Sequence, residues 1–423
     1  MRILIYPHDL GLGGSQLNAI EIAAAVKALG HSVVIFGSPG DLLDRIEELG
    51  LEFIEAPRPG RRPSPTVVSA LSDLIDERQI EILHGYEWPP ALEVALASRR
   101  RPAATAVATV MSMSVAPFIP RTVPLLVGTA EIASAERSAG RRRVDVLEPP
   151  VDVAFNNPEL DVGLDTFRRR WRIDNTRLTV VSITRFAREL KLEGTLTAMD
   201  AVASVNPDLP TRLVLVGDGP ARDEVEAKAR AINERVGAGT IVLTGQLADP
   251  RPAYAAANLS LGMGGSALRA LAFAKPLIVQ GEQGFWRLLT PDSLRGFLWT
   301  GWYGVGGSAE HGAAALEGIL RQLLVDERLR RDLGAFGRSI VEDRFSLTRA
   351  AHMQLRHYRA ALESPPHALP VLAGDATAFV RYARYYAGKR VRRALGRERS
   401  DDFNARPVTG SSRPALRNST GVS

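Results

Sequence analysis

The chain of 423 residues contains no cysteine. That excludes disulfides, thiolate-bound zinc, iron–sulfur clusters and thiol nucleophiles together. Lysine is scarce as well: five of the 53 basic residues are Lys and the rest are Arg, a skew that points to a GC-rich genome rather than to a function. No apolar run approaches the roughly 18–20 residues of a membrane span. The opening run Arg2-Ile3-Leu4-Ile5-Tyr6 is too short for a secretory signal, so a cytoplasmic protein is expected. There are seven histidines, and none forms a His/Asp/Glu cluster with ligand spacing, so neither a metal nor a cofactor is expected. Ser112 and Ser114 lack the glycine context of a nucleophile elbow.

A strongly basic body is also missing. The net charge of +6 belongs to residues 370–423, which hold 11 basic and 4 acidic residues. The rest is close to neutral, so nucleic acid is not an expected partner.

What is present is alternation. Strand-like runs at Ile3–Tyr6, Val33–Phe36, Glu52–Glu55, Glu81–His84, Ala104–Val110, Leu125–Gly128 and Val144–Leu147 are separated by helical patterns. Within residues 15–29, for example, Leu17, Ile20, Ala24 and Ala28 share one helical face. Residues 149–176 read as a linker and the start of a second unit. Strands resume at Leu178–Thr184, Leu213–Val216, Thr240–Thr244, Leu259–Met263 and Leu277–Gln280. From Ser308 to Leu362 the pattern is helical, with an apolar stripe at Leu316, Ile319, Leu320, Leu323 and Leu324. The expected class is α/β, with two Rossmann-like doubly wound domains at 1–155 and 156–340. A helix over 341–363 and a basic tail over 364–423 follow.

Four loops carry chemistry. Gly11-Leu12-Gly13-Gly14-Ser15 links the first strand to the first helix, where free amides favour an anion. Its spacing is not that of a dinucleotide fold, and it also fits a tight turn capped by Ser15. Arg185 to Lys191 follows the first strand of the second half. Taken alone it reads as a solvated loop, but its cations suit a diphosphate. Gly217-Asp218-Gly219-Pro220 ends another strand, and local turn chemistry is enough to explain it. Gly262-Met263-Gly264-Gly265-Ser266 opens a further helix that carries Arg269, and Glu282 lies after the next strand. Trp299, Trp302 and Tyr303 fit either core packing or an acceptor groove.

In this order the four loops, with Ala272-Phe273-Ala274-Lys275-Pro276, resemble family 4 of the retaining glycosyltransferases from about residue 2 to 362. Further matches are Gly30-His31-Ser32-Val33, His84, Pro150-Val151-Asp152 and Arg344-Phe345-Ser346. The resemblance implies the GT-B fold, an active site between its two domains, and a last helix that crosses back to the N-terminal domain. It implies a nucleotide-diphosphate sugar as donor and a glycan or lipid-linked acceptor in cell-envelope or surface-polysaccharide synthesis. Arg185 and Lys191 match the catalytic pair that neutralises the leaving diphosphate, without a metal. Gly13, Gly14, Gly217, Asp218, Gly219, Gly264, Gly265, Ser266, Arg269 and Glu282 match the donor side. His84, Tyr86 and Glu87 fall on the acceptor or sugar side.

The chain departs from that family at informative places. Leu261 and Arg269 stand where the family carries a Glu pair, and an Arg accepts no hydrogen bond from a ribose. Tyr86 replaces a second His, and Met111 and Met113 occupy a loop where relatives place a His. Glu282 or Ser266 is the candidate substitute for the missing acids. The competing readings are a non-catalytic GT-B protein that binds nucleotide sugar or glycan and, less favoured without cleft carboxylates, a sugar-nucleotide epimerase. In the tail, residues 376–397 predict a basic amphipathic helix, followed by disorder. Phe379, Ala383, Tyr386, Ala387, Val391, Ala394 and Leu395 lie near one face, and Arg381, Arg384, Lys389, Arg392 and Arg393 mostly elsewhere. That pattern suits an anionic membrane surface and a peripheral location; the bland alternative is a solvated helix that docks nowhere.

Overall fold

The computed structural model describes residues 1–11, 13–364 and 368–394 of the chain. It falls into two compact units, Met1–Pro150 with Leu347–Ser423, and Val151–Ser346. The first boundary lies at Pro150 rather than 155. Val151 already belongs to the second unit, because its N–H donates to the Phe345 carbonyl at 2.8 Å and it bridges to Ser346.

The N-terminal stretch of unit 1 runs β1 (Arg2–Tyr6), α1 (Gly14–Ala28), β2 (Ser32–Gly37), α2 (Leu43–Glu48), β3 (Glu52–Glu55), α3 (Pro65–Arg78), β4 (Ile82–Tyr86), α4 (Trp88–Arg100), β5 (Thr105–Val110), β6 (Leu125–Val127), α5 (Ala130–Ser138) and β7 (Val144–Val146). Its seven strands form one parallel sheet in the order β3-β2-β1-β4-β5-β6-β7. The order reverses between β1 and β4, and there the strand ends open a crevice. Central strands covered on both faces need continuous apolar runs, and Ile3, Leu4, Ile5 and Tyr6 are all at most 1% exposed.

Unit 2 runs α6 (Leu164–Trp171), β8 (Leu178–Ile183), α7 (Leu192–Val205), β9 (Thr211–Val216), α8 (Arg222–Val236), β10 (Ile241–Gly245), α9 (Arg251–Ala256), β11 (Leu259–Gly262), α10 (Gly265–Ala272), β12 (Leu277–Gln280), β13 (Trp286–Leu288), α11 (Pro291–Thr300), α12 (Gly312–Val325) and α13 (Glu327–Arg344). The sheet order is β10-β9-β8-β11-β12-β13, reversing between β8 and β11, with β13 antiparallel at the edge. The leucine stripe of α12 packs against α7 in the core of this unit. Trp302 and Tyr303 are also core residues: Trp302 stacks on Phe297 at 5.8 Å and meets Phe345 edge-on. The groove reading of these two aromatics is therefore not what the structure shows.

The chain then returns to unit 1 with α14 (Leu347–Glu363) and α15 (Ala368–Ala394). Ala350, Ala351, Leu355 and Tyr358 of α14 join the core beneath α1, so α1 is buried more widely than its four-residue face suggests. The described part of α15 docks on unit 1, contrary to the helix that docks nowhere. Tyr382 and Tyr385 pack against Phe118 at 5.3 and 5.1 Å, and Arg99 pairs with Asp375 at 3.1 Å. The expected continuation to residue 397 and the disorder beyond it lie outside the described residues. No helix among the described residues is long and apolar enough to cross a membrane.

Candidate functional site

In unit 2 the strand register brings four loops to one edge of the sheet. Ile183 pairs with Val216, Ser182 with Leu261, and Gly262 with Val279. The residues just beyond these pairs are Arg185, Gly217–Gly219, Met263–Ser266 and Gly281–Gly284, all at the carboxyl ends of parallel strands beside the reversal point.

The basic loop is held by backbone. Thr184 N–H donates to Val216 O at 3.0 Å, Phe186 N–H to Asp218 O at 2.9 Å, and Ala221 N–H to Phe186 O at 2.9 Å. A Cβ on Gly217, at φ +147°, would lie 1.9 Å from the Thr184 carbonyl oxygen, and one on Gly219 would lie 2.7 Å from that of Phe186. These glycines let two backbones touch. Asp218 accepts from Gly219 N–H at 2.7 Å and from Arg222 at 2.6 Å. The expected donor contacts Gly217, Asp218 and Gly219 are thus a buttress under the Arg185 loop, and the turn chemistry open to Asp218 is the one it uses.

Lys191 caps the start of α7, and the left-handed Leu190 (φ 65°) turns the chain into it. Its carbonyl accepts from Thr195 N–H at 3.0 Å and from Gln280 Nε2 at 3.3 Å, which fixes the backbone. Lys191 as a residue is half-buried, and burial pulls the pKa of its ammonium from 10.5 down to about 8. Two residues on, Glu193 accepts from the N–H groups of Gln283 and Gly284 at 3.1 and 2.6 Å, tying the Glu282 loop to this helix. The sequence signal for Glu193 was an acid in a helix's first turn, a position that stabilises helices in general and marks no site.

At β11 the chain turns through Gly264 (φ 55°) into α10. Ser266 Oγ accepts from Met263 N–H and donates to Met263 O, at 3.3 and 3.1 Å, so it stabilises the turn. Half-buried Arg269 curls back over that turn, with a terminal guanidinium nitrogen 3.2 Å from where a Gly265 Cβ would sit. Leu261 is a core residue at 2% exposure. Glu282 is held by the Tyr303 hydroxyl, which donates to its carboxylate.

Arg185, Lys191 and Arg269 share one property: the side chain of each has no hydrogen-bond or salt-bridge partner among the described residues. In the same unit Arg188, Arg212, Arg222, Arg251, Arg321 and Arg338 are paired with carboxylates, whereas Arg172, Arg230, Arg235, Arg287 and Arg295 likewise have no side-chain partner among the described residues. Arg185, Lys191 and Arg269 all lie at the strand-end edge of the sheet.

Unit 1 has its own strand-end cluster. His8 (φ 76°) and Glu87 (φ 65°) follow β1 and β4, the two strands at the reversal point. They are two of the eight non-glycine residues with positive φ among the described residues. The Glu87 carboxylate accepts from Ser15 Oγ at 2.8 Å, Met111 N–H at 3.0 Å and Ser112 Oγ at 2.7 Å, while burial raises its pKa. Ser15 therefore does not cap α1. Gly13 stands at the cap with no side-chain bond, and nothing lies within 4 Å of a Cβ on Gly14. Asp9 accepts from Gly11 N–H and Gln16, and its bond with His8 is the main cause of a pKa lowered to about 2.

His84 and Tyr86 are fully buried. His84 Nδ1 meets Tyr358 Oη and Nε2 meets Thr109 Oγ1, both at 2.7 Å, and Tyr86 donates to Gln354 at 3.3 Å. Desolvation lowers the His84 pKa to about 3, so the ring is neutral. Of the three residues expected on the acceptor side, Glu87 alone reaches the glycine loop, and it does so through Ser15.

Two doubly wound units with strand-end loops of this kind define the GT-B class. The glycosyl transferase 4-like domain matches residues 13–150, and the glycosyl transferases group 1 domain matches residues 177–317. The chain belongs to the GT-B glycosyltransferases. The structure is similar to a Rickettsia africae glycosyltransferase (TM-score 0.68, 16% identity, 86% of this chain and 99% of that one). It is also similar to Anabaena HepE in complex with UDP-glucose (0.66, 15%, 85% and 100%). A third likeness is the Arabidopsis thaliana starch synthase IV catalytic domain bound to ADP and acarbose (0.64, 14%, 86% and 99%). At these identities the likeness shows the fold. No curated protein matches the chain by sequence.

Proposed function

We propose that the protein is a retaining, family 4-like glycosyltransferase that takes a hexose from a nucleotide-diphosphate sugar bound on unit 2, in the synthesis of a cell-envelope or surface glycan. The observation that carries this reading is the trio of unpaired cations, Arg185, Lys191 and Arg269, at one strand-end edge. Arg185 and Lys191 neutralise the diphosphate as it departs, a task that fixed cations perform without reorganising. Arg269 supplies a third cation over the first turn of α10, where the missing Glu would have offered an acceptor. Gly264 and Gly265 bring the backbone of that turn close to the ligand. In unit 1, Gly13 and open-faced Gly14 serve as amide donors to a ligand oxygen.

In the proposed step the bond between the anomeric carbon and the phosphate oxygen breaks. The acceptor oxygen bonds to that carbon on the same face, and the acceptor proton passes to the leaving phosphate. This route needs no protein base and no metal, and it agrees with Glu87 being fully engaged by Ser15, Met111 and Ser112. A panel of UDP-, GDP-, ADP- and dTDP-sugars, scored by thermal shift and slow hydrolysis, tests the reading. One donor should stabilise and be hydrolysed; stabilisation by none would end it.

A second reading has its own support. Ser266 is tied to Met263, and Glu282 to Tyr303, so neither substitutes freely for the missing acid pair. A non-catalytic protein that binds nucleotide sugar would show stabilisation with no turnover on any acceptor.

A further inference from the structure

Helix α15 has two faces with different fates. On the inner face Ala378 is buried, Tyr382 and Tyr385 pack on Phe118, and Tyr382 also approaches Trp88. The Tyr382 hydroxyl donates to the Arg62 carbonyl, and Arg381 donates to Pro117 O at 3.2 Å. The outer face carries Phe379 at 70% exposure, Val380 at 57% and Val391 at 59%, with Tyr386, Ala383 and Ala387 also exposed. Four of the nine large apolar side chains exposed among the described residues lie on this one helix. Exposed apolar clusters of this kind mark an interaction surface.

Charge selects the partner. Arg384 and Arg390 are exposed on the same side. From Arg384 to Arg393 the sequence holds five basic residues and no acid, and the one acid of the described helix, Asp375, is already paired with Arg99. A docked helix that shows solvent an apolar stripe edged by cations complements a surface that is anionic outside and apolar just below.

The docking also sets direction. Asp375 meets Arg99 in the last turn of α4, and Tyr382 meets Trp88 at its first residue, so α15 runs antiparallel to α4. It heads toward the strand-end edge of unit 1, where Glu87 and the glycine loop lie. Residues 387–394 continue about 12 Å further.

We propose that the outer face of α15 seats unit 1 on an anionic lipid bilayer, with the strand-end loops of that unit directed to the lipid surface. If the transfer reading above holds, the acceptor class is then lipid-linked rather than a free sugar.

The test uses the full chain, without nucleotide, in co-sedimentation with mixed phosphatidylglycerol–phosphatidylcholine vesicles and with phosphatidylcholine alone. Because no donor is present, failure here leaves the donor reading intact, and failure of the donor panel leaves this result intact. The protein should pellet with the mixed vesicles and not with the neutral ones. The triple variant F379S/V380S/V391S and the double variant R384Q/R390Q should each lower partitioning about tenfold or more. Both should keep the parental thermal midpoint, since they alter exposed side chains. Equal pelleting of parent and variants, or equal binding to neutral vesicles, would overturn the proposal. So would a lipid-independent dimer that the apolar variant dissolves, which would make a second copy of the chain the occupant.

Discussion

Lys191 offers the sharpest prediction, because its burial gives the proposed phosphate site a built-in pH response. With the ammonium at about 8, roughly nine-tenths of the free protein carries the charge at pH 7 and roughly one-tenth at pH 9. A bound diphosphate favours the charged form and pulls the proton back on. The dissociation constant of a nucleotide-diphosphate sugar should therefore be nearly flat below pH 7. It should rise about tenfold by pH 9, equivalent to about 1.4 kcal/mol. Lys191→Arg keeps a charge that does not titrate in this range, so its profile should stay flat even if absolute affinity suffers from the planar head group. Calorimetric titration of both proteins at pH 7, 8 and 9 measures this, and ionisation of the donor itself would appear equally in both. A parallel rise in the two proteins would show that Lys191 is not the group that senses the anion.

Other substitutions read out the rest of the structure. Arg185→Ala should weaken diphosphate binding by about 1.5–3 kcal/mol, the scale of a charge-assisted bond, and Arg269→Gln should do so to a smaller degree, both by calorimetry. Gly217→Ala forces a Cβ against the Thr184 carbonyl at a positive φ, so denaturant titration should show a loss of about 2–3 kcal/mol together with weaker donor binding. Tyr358→Phe strips the buried His84 of one partner and should cost about 1–3 kcal/mol in the same assay. His84 stays neutral when folded down to about pH 3, whereas the unfolded chain takes up its proton near pH 6.5. The unfolded state then binds more protons across that window, so stability should fall as pH drops below 6.5, and His84→Gln should flatten that slope.

Much of the fold could be read directly because buried parallel strands are written as apolar runs. All twelve expected strands are present. The thirteenth, β13, is a three-residue antiparallel edge strand with Arg287 at its centre, too short and too polar to stand out. Helix α6 was hidden in a stretch read as a linker because its sequence is dominated by Arg168, Arg169 and Arg170, and Phe167 alone is buried. Charge is what makes Arg185, Lys191 and Arg269 stand out as candidates in the sequence. A residue type that serves two purposes is harder to read. Gly217 and Gly219 look like ligand glycines, yet another loop's backbone is what they make room for. His84 and Tyr86 look like strand-end polar groups, yet α14, more than 260 residues away in sequence, supplies their partners. The helix itself was expected, over 341–363, but no local pattern tells which of its residues meet His84 and Tyr86. On α15 the apolar periodicity picked out Phe379 and Val391, but not the tyrosines that anchor the opposite face.

Hydrogen exchange of the full chain, with and without the nucleotide-diphosphate sugar that stabilises it best, tests the location of the donor site most directly. The account predicts that the donor slows exchange in the backbone of residues 184–193 and 262–269 of unit 2, and that Arg185→Ala removes this protection. Protection confined to other segments, or unchanged in that variant, would contradict it.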